Sequence, residues 1–184
     1  MTKVVNFVGG PGAGKSTRAA ELFGWMKNRR FNVEYVSEFA KDLTWKKSNS
    51  LEDQLYILGE QHHRLYTLVG QVDWIITDSP LILQLHYAQY GFTKFQETVR
   101  NRLLLRFRQL VLDAYECYDN VLFEAVRGDR KYVQAGRNQT EAEAKKIDDD
   151  VLRVLNLAGF LPVPVENNHE VVEFLGLHRS NPVE

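Results

Sequence analysis

Gly9-Gly10-Pro11-Gly12-Ala13-Gly14-Lys15-Ser16-Thr17 follows directly on the apolar run Val4-Val5-Asn6-Phe7-Val8, and this juncture decides the fold. Gly9, Gly14, Lys15 and Ser16 stand in the fixed places of the pattern G-x-x-x-x-G-K-[ST]. A loop of this kind wraps backbone N–H groups around nucleotide phosphates, with the lysine on β/γ oxygens and the serine hydroxyl on Mg²⁺. Gly10, Gly12, Ala13, Gly14, Lys15, Ser16 and Thr17 are therefore the candidate nucleotide-binding residues, and Ser16 is a candidate metal ligand. The flanks agree. A β run precedes the loop, and Ser16 to Arg29 reads as a helix carrying Ala19, Leu22, Phe23 and Met26 at helical spacing. Such a helix sets the positive end of its dipole at the phosphates.

Outward from the loop, strand-like runs alternate with helical ones, as in an α/β parallel sheet. The five strand candidates are Lys3–Val8, Asn32–Ser37, Asp73–Thr77, Asn120–Val126 and Leu161–Glu166, apolar enough to be buried on both faces. A second helix is expected over Leu51–Gly70, with Leu51, Leu55, Leu58, His62, Leu65 and Val69 as its apolar stripe and Ser50 with Asp53 as a capping box. A third is expected over Lys94–Glu116, with Val99, Leu103, Phe107, Leu110 and Ala114 on one face. A fourth spans Thr140–Leu157, with Ala144, Ile147, Val151, Val154 and Ala158 inward, and a short last one runs from His169 to Leu177. The 184 residues favour one domain, residues 1–184.

Ligands of an open α/β sheet gather beyond the carboxyl ends of its strands. Strand two runs into Glu38. Strand three runs into Asp78, and strand four into Arg127, which opens a polar segment holding Arg130, Lys131 and Arg137. Asp78 stands where a carboxylate orients Mg²⁺ directly or through water, although it also has the position of an N-cap. Glu38 suits a neutral hydroxyl acceptor, which benefits from a carboxylate that takes its proton, whereas an anionic acceptor needs no base. The plainer alternative is a surface Glu38 paired with Lys41. Arg127, Arg130 and Arg137 fit a lid over residues 127–139 that steadies the transferring phosphoryl group, and otherwise form a solvated basic loop. Asp148-Asp149-Asp150 reads as the exposed side of the fourth helix.

The acceptor is expected against an insert over residues 41–70, where Trp45, Gln54, Gln61 and Arg64 offer stacking and hydrogen bonds for a base. Gln54 and Gln61 fall on one side of the helix, and each is as readily a surface residue. His62 belongs with the core stripe. Arg100, Arg102, Arg106 and Arg108 make a basic stretch on the third helix, ordinarily a solvated face and in the sharper reading a nucleic-acid backbone contact.

Composition adds exclusions. Lys plus Arg number 23 against 24 for Asp plus Glu, so bulk charge draws the chain to neither nucleic acid nor a membrane surface. Cys117 is the single cysteine, which excludes an internal disulfide and a cysteine-rich zinc site and suits a reducing, cytoplasmic setting. No signal peptide and no apolar stretch of membrane-spanning length is visible.

Together, the phosphate loop, Val36-Ser37-Glu38-Phe39-Ala40, the strand ending in Asp78, and Gly136-Arg137 ahead of a helix resemble the small P-loop kinases of the ribosylnicotinamide-kinase-like type. They also resemble the AAA-type ATPases, or nucleotide kinases, common in bacteriophage genomes. The resemblance spans most of the chain and implies a three-layer fold with a five-stranded parallel sheet of order 2-3-1-4-5 and a small lid. It implies ATP with Mg²⁺ as phosphoryl donor, Glu38 as acceptor-side carboxylate and Asp78 as strand-three acid. The expected activity is ATP-dependent transfer to a hydroxyl of a nucleoside or nucleotide-like acceptor, with a hydroxymethylated base in phage DNA as a specialised form; a homodimer is left open. Lys15, Glu38, Asp78, Arg127 and Arg130 would carry the catalysis. A nucleoside monophosphate kinase is the first alternative and would grip its acceptor's phosphate with Lys41, Lys46, Lys47 or Arg64. A nucleotide-dependent ATPase or switch is the second.

Overall fold

A computed structural model of the chain describes residues 2–129, 132, 133 and 139–177. Five parallel strands form one sheet: β1 Lys3–Val8, β2 Val33–Val36, β3 Trp74–Thr77, β4 Asp119–Ala125 and β5 Val163–Val165, in the order β2-β3-β1-β4-β5. The expected order is thus observed. Register brings the carboxyl ends level, since Asn6 pairs with Thr77, Thr77 with Val36, and Val8 with Glu124.

Alternate residues of β1 face two separate cores. Val4 and Val8 pack beneath α3 (Gln54–Tyr66), α4 (Gln84–Tyr87), α5 (Glu97–Glu116) and α6 (Glu141–Leu157). Val5 and Phe7 pack beneath α1 (Lys15–Asn28) and α7 (Asn168–Phe174). This two-sided burial accounts for the near-continuous apolar strands, each large side chain contributing roughly 1.5–3 kcal/mol.

The segment between β2 and β3 differs from the single helix expected. A short helix α2, Phe39–Trp45, comes first, then a 3₁₀ turn over Asn49–Glu52, and α3 begins only at Gln54. The cap is Asp53, whose side chain accepts the Tyr56 N–H, while Ser48 accepts the Ser50 N–H of the preceding turn. The buried face is rotated too. Gln54, Ile57, Leu58, Gln61 and Leu65 are inside, whereas Leu55 and Val69 are exposed. Helix α2 docks on α3 through Phe39, Leu43 and Ile57, while Leu58 and Leu65 enter the main core. On α5 the inward residues are Phe107, Val111 and Tyr115, and Leu110 is exposed. Helix α6 buries Ala144, Ile147, Val151 and Leu155 and opens with a full capping box between Thr140 and Glu143.

Residues 81–90, unassigned in the sequence reading, form two 3₁₀ turns around α4 and are mostly buried. Within them His86 is 2% exposed, and neither ring nitrogen has a hydrogen-bond partner. Its neighbours are the rings of Tyr87 and Tyr90 and, from α6, Asp150 and Arg153. Burial holds its pKa below the ordinary value, with Asp150 opposing and Arg153 assisting. A histidine whose folded pKa is depressed binds more protons unfolded, so its contribution is complete above about pH 6.5 and is lost as pH falls below that. The wild-type melting temperature is expected to drop from pH 7 to pH 5 more than that of His86→Leu. Parallel curves for the two proteins would remove His86 as the cause.

Candidate active site

The phosphate loop is shaped by glycines that no other residue replaces easily. Gly12 has φ 77° and Gly14, which precedes α1, has φ 100°, both in the left-handed region. Lys15 folds back so that Nζ donates to Gly9 O at 2.8 Å and Gly10 O at 2.9 Å. Arg18, one turn on, ties the loop to two strand ends, donating to Ala13 O (3.1 Å), Val126 O (2.7 Å) and Glu166 O (2.9 Å). Nothing in the motif singled out Arg18; only the closeness of β4 and β5 to α1 gives it this task.

Glu38 is the residue before α2, and its side chain accepts no capping hydrogen bond from that helix. The two amide ends of Gln61 do the local work instead. Its Oε1 accepts the Phe39 N–H at 3.0 Å and its Nε2 donates to Ser37 O at 3.4 Å, bracketing Glu38 on both sides. Gln61 is 1% exposed, so it supports the backbone of the site rather than offering itself to an acceptor. Burial raises the Glu38 pKa, Lys15 counters, and Asp78 raises it further. Burial lowers the Lys15 pKa, against the opposing pull of Glu38, Asp78 and Asp148. Lys15, Glu38 and Asp78 therefore form one interacting group across the ends of β1, β2 and β3.

Asp78 is 2% exposed, and its Oδ1 has no hydrogen-bond partner. It is not an N-cap: the Ser79 N–H is held at 3.2 Å by the Thr77 hydroxyl. Tyr35 faces it from β2, its phenol pushed up first by burial and then by the Asp78 anion. An orphaned carboxylate oxygen at the end of β3, within electrostatic range of the phosphate-loop lysine, fits a hydrated cation. Among the described residues no three His, Cys, Asp or Glu side chains converge as a metal cage.

A cavity of about 620 Å³ opens beside the phosphate loop. Gly12, Gly14, Lys15, Ser16 and Thr17 of the loop line it together with Glu38, Trp45, Gln54, Gln84 and Tyr87. Trp45 stands 62% exposed on the rim. Gln54 is buried; its Nε2 donates to Leu51 O at 2.8 Å, leaving Oε1 without a partner. Gln84, also buried, has an unpartnered Oε1 as well. Gln84 and Tyr87 escaped the sequence reading, although the dense run Leu81-Ile82-Leu83-Gln84-Leu85 after Pro80 signalled a buried segment at a strand end.

Arg64 points elsewhere. It pairs with Asp42 at 2.7 Å, reaches Ser37, and lies over the Phe39 ring at 5.0 Å, so it fastens α2 to α3. Of the four cations considered for an acceptor phosphate, only Lys41 lines the cavity. Arg127 is bound to Asp148 and to the Pro11 carbonyl. Asp148 is accordingly not on the solvent side of α6, contrary to expectation, because α6 crosses the phosphate loop. Arg130 and Arg137 lie outside the described residues.

Gln61→Leu keeps the volume and removes both bracketing hydrogen bonds. Leaving the buried Phe39 N–H without an acceptor is expected to cost about 1–3 kcal/mol in urea unfolding. Turnover is expected to fall by more than the loss of folded protein explains, because Glu38 loses its fixed backbone. Wild-type kinetics in a stably folded variant would contradict that role.

The architecture recurs in solved structures. NadR in complex with NAD and AMP-PNP aligns with TM-score 0.62 and 14% identity over 100% of this chain and 51% of that one, so this chain spans about half of NadR. Thymidylate kinase from Ehrlichia chaffeensis aligns with TM-score 0.60 and 16% identity over 95% and 99% of the two chains. Deoxyadenosine kinase from M. mycoides with bound dATP aligns with TM-score 0.54 and 17% identity over 96% and 100%. At these identities the likeness is one of fold. No curated protein sequence matches the chain. Residues 4–171, nearly the whole described sheet and its helices, match the AAA domain model AAA_28, and the chain belongs to that family.

Proposed function

We propose that this protein is an ATP-dependent kinase that transfers the γ-phosphoryl group to a hydroxyl of a nucleoside or nucleotide-like acceptor. The observation that carries the reading is a single cavity lined together by the phosphate loop, by the carboxylate Glu38, which caps no helix, and by Trp45, Gln54, Gln84 and Tyr87. The names of the structurally similar proteins, two nucleoside or nucleotide kinases and a protein solved with AMP-PNP, point the same way.

The loop N–H groups and Lys15 hold the triphosphate, and Lys15 offsets charge on the transferring group. Ser16 and Asp78 are the residues that would hold Mg²⁺, which supplies charge neutralisation across the β- and γ-oxygens when bound. Glu38 accepts the proton of the acceptor hydroxyl. Arg127, with Arg130 and Arg137, serves the lid over 127–139. Gln54, Gln84 and Trp45 receive the acceptor within the 41–70 segment and the turn that follows β3. A monophosphate acceptor is served less well, because Lys41 is the sole cation of the expected four on the wall. A hydroxymethylated base in DNA is the specialised form, for which Arg102 and Arg106, one turn apart and exposed on α5, offer a basic patch.

Incubation with γ-labelled ATP and a panel of nucleosides, nucleotides and hydroxymethylated DNA tests this directly. Label on a hydroxyl of a nucleoside or base is the expected result. Release of inorganic phosphate at the same rate with and without every acceptor would instead identify an ATPase. If DNA is labelled, binding is expected to weaken steeply with salt; a flat response would leave the α5 arginines without that use.

A further inference from the structure

The peptide unit joining Gly9 to Gly10 is gripped from both sides. At its oxygen, Lys15 Nζ donates to Gly9 O at 2.8 Å. At its nitrogen, the Gly10 N–H donates to Asp148 Oδ1 at 2.7 Å. A cation on the carbonyl and an anion on the N–H both align with the peptide dipole, so the two charge-assisted bonds reinforce each other.

Asp148 does more than meet Gly10. Its Oδ2 accepts Arg127 Nε at 2.6 Å, and Arg127 Nη2 is shared between Asp148 Oδ1 at 3.2 Å and Pro11 O at 2.8 Å. The pair is sheltered, with side-chain exposures of 17% and 22%, unlike the screened ion pairs of an open surface. Helix and loop are in direct contact: a Cβ at Gly10 would lie 2.7 Å from both Ala144 O and Asp148 Oδ1. At the loop's apex, Arg127 Nη1 stands 3.3 Å from where a Gly12 Cβ would be. Arg127 opens the 127–139 segment and α6 follows it, so the ion pair joins both feet of that segment on top of the phosphate loop.

We propose that Asp148 is a positioning residue of the nucleotide site. It fixes the Gly9–Gly10 peptide against which Lys15 rests, and it holds Arg127 against the Pro11 carbonyl of the loop. This preorganises the cradle and spares its ordering on binding. The inference rests on the loop as the ATP site and is independent of the acceptor, so its test uses nucleotide binding alone.

Affinity for Mg²⁺·AMP-PNP is measured by calorimetry on the full chain, with melting of the nucleotide-free protein as the control for folding. Asp148→Ala removes the acceptor for Gly10 and the partner of Arg127, and is expected to weaken binding about 10-fold or more. Asp148→Asn keeps an oxygen for the Gly10 N–H and is expected to recover binding to within about 3-fold of wild type. Arg127→Ala is expected to weaken binding in the wild type and to add less when combined with Asp148→Asn, where its charged partner is gone and only its bond to the Pro11 carbonyl remains. Wild-type affinity in Asp148→Ala, or equal losses in the Ala and Asn variants, would overturn the proposal. Should the Ala variant not fold, additive effects of Arg127→Ala and Asp148→Asn would overturn it alone.

Discussion

Replacing Lys15 by alanine is expected to reduce ATP-dependent turnover about 10³-fold or more, the scale seen when a preorganised charge-stabilising group is lost from a sheltered site. Lys15 is bonded to the loop carbonyls and lies within electrostatic range of the carboxylates at the strand ends. It donates to Gly9 O and Gly10 O, and it feels Glu38, Asp78 and Asp148. Its removal therefore withdraws the charge at the phosphates and leaves two acidic side chains facing them without a counter-charge. Lys15→Met keeps the stem and its packing and separates the two effects: the ammonium is lost while the cavity wall stays filled. Both variants are expected to melt cooperatively. Turnover within about tenfold of wild type in the folded variants would take the loop out of the chemistry.

Glu38→Gln is expected to cost about 10²- to 10⁴-fold in kcat for a hydroxyl acceptor, the range of a positioned general base, with Mg²⁺·ATP affinity retained. The amide keeps the shape of the side chain and cannot take a proton. The pH profile carries the same information. Burial, reinforced by Asp78, holds the Glu38 pKa above the ordinary carboxylate range, with Lys15 pulling it down. A base works when deprotonated. The wild-type rate is therefore expected to rise with pH through a raised carboxylate pKa and level off above it, while the Gln variant lacks that limb. A Gln variant with an unchanged rate and an unchanged acid limb would mean that Glu38 takes no proton.

The two variants also separate phosphoryl transfer from hydrolysis. Loss of acceptor labelling in Glu38→Gln with residual ATP hydrolysis places Glu38 on the acceptor side. Equal loss of both places it with the nucleotide.

Local sequence decided a good part of this molecule. Glycines at 9, 12 and 14, ahead of Lys15 and Ser16, specify a loop with positive φ angles and a helix beginning behind it. Five apolar runs separated by helix-period segments specify a buried parallel sheet, and burial on both faces leaves little freedom in how it is covered. The strand-end positions of Glu38 and Asp78 follow from the same pattern. What lay beyond the sequence depends on which surfaces meet. Helix α2 is a seven-residue helix, too short for its own periodicity to announce it, and α3, on which it docks, buries Gln54 and Gln61 and leaves Leu55 outside. Asp148 looked like one of three exposed acids until α6 was laid across the phosphate loop, where a Gly10 N–H and an Arg127 guanidinium awaited a carboxylate. A run of residues records its own period but not its neighbour across the fold, and buried polar groups take their roles from that neighbour.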